Sequence, residues 1–296
     1  MKHALAAAAA LALVAIPCAS FAVPVDLGNA GNYTLLATGA NPNGTLILGS
    51  NAEVYGNVGA QYYLGTSPGV VIHGNADYGY LNGTPTITGT SAQQTGAAFW
   101  SALQADLNSA SAAASAMTAG QTFGNVTSTQ TFNSYAGTSV FDLGGLNLNG
   151  GSLTLHGDGT DQFVINIGSG GLSMGAGASI VLDGVNPGNV LFNVTGNNTN
   201  FNVGAATLRG TFLGADTNVR MVLGDGLTLN GASFLSNGIT ANLQTICGVG
   251  QSQPPCGDGG TPPVPVPEPS GLPFLGLGVA LLGFLGYRRR KSALAR

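Results

Sequence analysis

Short apolar runs recur along this chain, each closed by Gly, Asn or Asp. Leu153-Thr154-Leu155, Val164-Ile165-Asn166-Ile167, Ile180-Val181-Leu182, Val190-Leu191-Phe192-Asn193-Val194, Val219-Arg220-Met221-Val222-Leu223 and Leu227-Thr228-Leu229 are the clearest. Alternation within each run puts successive side chains on opposite faces, as in a strand. A weak internal repeat accompanies them. Leu46-Ile47-Leu48-Gly49-Ser50-Asn51-Ala52-Glu53 is echoed by Val70-Val71-Ile72-His73-Gly74-Asn75-Ala76-Asp77, and the segments 201–208 and 227–234 share its shape. An apolar step, a glycine corner, a small residue and another apolar step describe the rungs and corners of a stacked coil. A β-sandwich would show longer alternating strands and fewer glycines than the 48 present here. The pattern therefore predicts an all-β fold, a β-solenoid with a thin apolar core.

One segment departs from the pattern. From about 91 to 118 the chain is alanine-rich, with Phe99, Leu103, Leu107, Ala110, Ala114 and Met117 at steps of three and four. That spacing predicts one long amphipathic helix packed against a strand face, stopping near Gly120.

Charge narrows the function. Between Val23 and the last thirty residues there are two basic residues, Arg209 and Arg220, against eleven acidic ones. An acidic body excludes nucleic acid as a partner, because phosphates require a basic surface. His73 and His156 are the histidines left after the leader, and neither belongs to a nucleophile motif. Asp158 and Asp161 share the turn Gly157-Asp158-Gly159-Thr160-Asp161, whose oxygens suit a hard cation but also suit an ordinary Asp-Gly corner. Thr86 and Thr88 form one Thr-x-Thr, with Thr207 and Thr211 scattered and no threonine ladder visible at a fixed spacing. The reading is a non-enzyme without metal or cofactor.

Both ends carry targeting signals. Lys2 and His3 precede an apolar stretch, and Ser20-Phe21-Ala22 offers small residues for cleavage after Ala22, so residues 1–22 read as a signal peptide. Residues 23–246 form the exported domain. In an exported chain Cys247 and Cys256 read as one disulfide closing a small loop, and residues 247–265 hold that loop and a Pro/Gly spacer. Residues 266–296 contain Pro267-Glu268-Pro269, an uncharged apolar segment over 271–287 that reads as a transmembrane helix, and the cytoplasmic stop Arg288-Arg289-Arg290-Lys291.

The ordered tail resembles the PEP-CTERM sorting signal of Gram-negative bacteria. That resemblance implies an exosortase-type enzyme as partner, transient insertion in the inner membrane, and release to the cell surface or an exopolysaccharide matrix. The body is similar to a second pair of families. Its glycine-rich first part, alanine-rich helix, and the segments 141–146, 163–168 and 189–194 resemble the ice-binding-protein-like and choice-of-anchor A families. These imply a right-handed β-helix with a helix alongside. The principal functional expectation is a surface or matrix protein used in adhesion or biofilm and associated with exopolysaccharide. The alternatives are an ice- or glycan-binding module and a polysaccharide-active β-helix enzyme.

Overall fold

The computed structural model describes residues 24–39, 43–135, 137–195, 200–215, 219–225, 227–242, 245–251 and 256. The leader 1–22, the Pro267-Glu268-Pro269 motif, the apolar segment 271–287 and the basic cluster 288–291 lie outside them. Among the described residues no helix is long and apolar enough to cross a membrane.

The domain is a coil of short strands, joined throughout by parallel pairings. Each turn of the coil crosses three faces. The first face stacks residues 91–93, 76–78, 57–60, 33–37, 234–236, 211–213, 190–194, 163–167, 138–143 and 121–123, in that spatial order. The second stacks 81–82, 64–65, 45–48, 239–241, 220–223, 200–203, 172–174 and 146–148. The third stacks 86–87, 71–73, 53–55, 245–247, 228–230, 207–208, 179–183, 152–156 and 130–133.

The order is not the order of the chain. The polypeptide enters in mid-stack at Tyr33–Ala37, winds to one end at Ser91–Gln93, and crosses to the other end through the helix Ala97–Ala116. It then winds back until Phe234, Leu235 and Ser236 lie beside Leu35, Leu36 and Ala37. Parallel stacking makes this closure possible, because every coil presents the same edge pattern above and below.

The core is one residue thick from each face. Its largest members stack ring on ring from coil to coil. Phe132, Phe141 and Phe163 stack at 4.3 and 6.2 Å, and Phe192, Phe212 and Phe234 at 4.8 and 5.1 Å. Glycine is required where the coil changes step. Gly210 sits at a register shift with φ of 102°, a conformation that strains any side chain.

The helix buries Trp100, Leu103, Leu107, Ala110 and Ala114. They pack on the outward side chains of the first face, Val140, Val164, Leu191, Leu213 and Leu235, with Phe99 and Met117 half-buried at the margins. The helix begins at Ala97 rather than near 91, because Gly96 caps it and Ser91–Gln93 continues the sheet beside Ala76–Tyr78. It ends at Ala116, before Gly120.

Hydrogen bonds fix its register. Asp142, Asn166 and Asn193 stand one per coil. Asn166 donates to Asp142 Oδ1 (3.0 Å) and to the helix carbonyl of Ala114 (3.1 Å). Asn193 donates to Asn166 Oδ1 (2.9 Å) and Ser115 Oγ (3.0 Å), and accepts from Ser111 (2.7 Å). At the middle of the helix Gly28, at φ of 52°, lies so close under Asp106 that a Cβ would meet its carboxylate at 2.6 Å. Asp106 accepts the Asn29 amide there (2.9 Å).

Leu107 is fully buried between helix and coil. Leu107→Ala is expected to cost about 2–5 kcal/mol by the usual penalty for a core cavity. Urea unfolding followed by circular dichroism measures it, and a loss under ~0.5 kcal/mol, the surface-substitution range, would mean the helix is not docked.

Candidate functional site: the two uncovered faces

With the first face under the helix from Tyr33–Ala37 to Thr138–Leu148, the second and third are the faces left uncovered over their length. On the second, inward residues Leu46, Leu48, Leu64, Ile239, Met221, Phe201, Leu172 and Leu148 enter the core, and every alternate residue points to solvent. The outward residues form a column of one side chain per coil, Asn147, Ser173, Asn202, Val222, Thr240, Ile47 and Asn82, broken at Gly65, which the Tyr63 ring covers. None is charged. Beside it the ladder continues through Gly175, Gly204, Gly224 and Gly49, whose amides bond to the preceding coil at 2.6–2.9 Å. Those glycines add no side chain to the margin, and Asn242, which stands between Gly224 and Gly49, adds one. Arg220 is the one charged residue on the described strands of this face, and its guanidinium donates to Thr240 Oγ1 (3.3 Å). Tyr63 and the exposed Tyr80 stack at 5.9 Å at one end.

The third face carries a hydroxyl column that fixed-period reading of the sequence misses. Ser152, Ser179, Thr207 and Thr228 are paired in register, and Thr245 follows in the next coil before Glu53. The correction has a simple cause. Successive members are 27, 28, 21 and 17 residues apart, so the coils differ in length while the rungs stay aligned. Thr207 belongs to this column, and Thr211 is buried on the first face. This face is less uniform than the second. Cys247 and Cys256 form a disulfide that brings the chain back over it, against Tyr55. Tyr55 stacks on His73 at 4.1 Å and donates to Glu53 (3.1 Å), and burial, then that bond, raises its phenol.

The remaining sequence candidates have structural partners. His156 pairs with Asp183 at 2.7 Å, both exposed. Asp158 and Asp161 serve their own turn. Asp158 Oδ1 accepts from the Thr160 amide and hydroxyl (both 2.7 Å) and the Asp161 amide (3.1 Å), while Asp161 Oδ2 accepts the Asp158 amide (2.8 Å). The Thr160 bonds, side chain first, hold the Asp158 carboxyl below its ordinary range. Among the described residues no group of three metal-ligating side chains is assembled. A cleft of about 270 Å³ opens between the first and third faces, lined by Thr34, Thr211, Ser233 and Gln251. Tyr33 borders it, with its phenol donating to Asp77 (2.8 Å) and raised by burial and that carboxylate. No nucleophile–base pair faces the cleft among these lining residues.

Comparison with known proteins places the body of the chain. The family model described as an ice-binding-like adhesive domain matches residues 19–243. Among solved structures, an ice-binding protein of the Antarctic ascomycete Antarctomyces psychrotrophicus is similar at 20% identity and a TM-score of 0.56, covering 75% of this chain and 97% of that one. The antifreeze ice-binding protein of an Arctic yeast is similar at 21% and 0.55, with coverages of 78% and 96%. The DUF3494 domain of ice-binding protein 1 from Shewanella frigidimarina is similar at 20% and 0.55, with coverages of 77% and 98%. At these identities the likeness is one of fold. A search of curated proteins finds no match. The principal expectation from the sequence, a biofilm or matrix adhesin processed by an exosortase, is corrected by these matches. They lie on the coil itself, and they favour the first alternative.

The Asp158 turn provides a pH test. A depressed carboxyl contributes order that is present above its unfolded value and lost as pH falls through the folded one. Protection of the Thr160 and Asp161 amides is therefore expected to persist below the ordinary Asp range and then disappear, and Asp158→Ala should remove it at all pH. Hydrogen exchange by NMR reads both amides directly. Unchanged protection in the variant would show that the turn holds without the carboxylate.

Proposed function

Because the chain belongs to the ice-binding-like adhesive domain family, we propose that it binds ice and that the second face is the surface that meets it. The observation that carries the reading is the uncharged outward column of that face, repeated once per coil on a rigid parallel sheet. Rungs stand ~4.8 Å apart. Backbone bonds on both sides of every internal strand hold the spacing, so few degrees of freedom remain to be lost on contact.

Charged groups would hold their own hydration shells and resist incorporation into an ordered water layer. Asn147, Ser173, Asn202 and Thr240 offer short polar groups, and Ile47 and Val222 offer apolar ones, in the same row. The third face is the weaker candidate. Its hydroxyl column is interrupted by Glu53, and the disulfide loop returns over Tyr55. The disulfide also supports an oxidising, extracytoplasmic setting, where ice and protein would meet.

Thermal hysteresis and ice-affinity partitioning test the reading. The wild type should partition into a growing ice front. Ser173→Tyr and Thr240→Tyr, which break the plane of the second face, should lose most of the activity with unchanged melting temperature. Thr207→Tyr, on the third face, should keep it. A folded wild type that neither shifts the freezing point nor enters ice would sink the proposal.

A further inference from the structure

Both ends of the coil finish in strands paired on one side only. At one end these are Leu81–Asn82, Thr86–Ile87 and Ser91–Gln93. At the other they are Gln121–Val126 and Gln130–Asn133. Among the described residues nothing pairs with their outer edges.

Edge strands in soluble proteins are normally blunted by charge, proline or a covering element. Here the blunting is slight. Between Asp77 and Asp142 the sequence has one charged residue, Asp106, and it lies on the helix. Pro85 is the single proline in either terminal coil. The core also runs out to both ends. Phe123 is the last ring of the stack Phe123–Phe132–Phe141 and is half-buried, while Leu81 and Ile87 are half-buried at the opposite end.

We propose that these ends dock on each other, so that copies of this chain join head to tail and the coil continues across the joint. The occupant of each end is a second copy because the two edges are complementary. All strands run in parallel, so the lower edge of one copy offers the upper edge of the next the pattern used at every internal rung. A head-to-tail contact of this kind does not close, and it produces filaments rather than dimers. An end-to-same-end contact would set the strands antiparallel and lose the three-face register.

Charge sets the conditions. The body is strongly acidic and the ends are neutral, so repulsion between copies opposes docking at low salt and is screened at higher salt. The register predicts which residues meet. Thr88 follows Ile87 in the column below Tyr55 and His73, and Thr131 stands opposite Thr154 at the other end. In a continuous coil Thr88 of one copy faces Thr131 of the next. The inference does not need the ice reading, since a chain that ignores ice can still stack.

Sedimentation velocity on the exported protein at raised salt is the experiment. Mass should grow with concentration without settling at a dimer. Thr88→Lys with Thr131→Lys in one chain should move the midpoint to at least ~10-fold higher concentration, since facing like charges cost more than the ~1.4 kcal/mol this represents. Thr88→Lys with Thr131→Glu should restore association, and both variants should keep the wild-type circular dichroism. A wild type that stays monomeric to its solubility limit overturns the proposal. So does a closed dimer, or association that the double-lysine chain leaves unchanged.

Discussion

Everything in this molecule depends on the parallel backbone ladder holding register from coil to coil. Most strands are only two to six residues long, too short to be stable alone. Each internal strand is held because the coil above and the coil below satisfy its amides and carbonyls, and because the same register sets phenylalanine on phenylalanine inside. The joint at Tyr33–Ala37, itself buried, is the most long-range point of this arrangement. It brings residues more than 190 positions apart into one rung, between Asn57–Ala60 and Phe234–Ser236. Such distant pairing makes folding slow by the usual topological argument.

The helix decides where function can reside. By covering Val140, Val164, Leu191, Leu213 and Leu235 it turns the first face into a second core. The Asp142–Asn166–Asn193 ladder would be a costly set of polar groups if left half-satisfied, and the helix supplies its missing partners through Ala114, Ser111 and Ser115. The disulfide then returns the chain to the third face. The second face is left with a row of uncharged outward side chains running from Asn147 to Ile47.

The strands and corners were legible in the sequence because alternation and glycine are local signals. The helix was legible from Leu103, Leu107, Ala110 and Ala114, but its start was not, since Ser91–Gln93 becomes a strand only when Ala76–Tyr78 lies beside it. Trp100 was missed although it falls on the buried stripe. The hydroxyl column from Ser152 to Thr245 was invisible because coils of unequal length hide a spatial period from a linear reading. The out-of-order stacking had no local signature at all. The functional expectation leaned on the Pro-Glu-Pro tail, the most specific motif in the chain. That motif lies outside the described residues, whereas the proposed surface rests on diffuse features such as Ser173, Asn202 and Thr240.

The helix has one more consequence, for how such a domain can vary. It connects the two ends of the stack, so it acts as a ruler. Each coil adds ~4.8 Å to the height of the sheet, whereas a helical residue spans ~1.5 Å. A lineage that gains a coil anywhere must therefore lengthen the helix or its connectors by about three residues to keep both ends tethered. The size of the second face is then not free to drift by duplication of single rungs, as it is in open repeat arrays. It changes only when two distant parts of the gene change together.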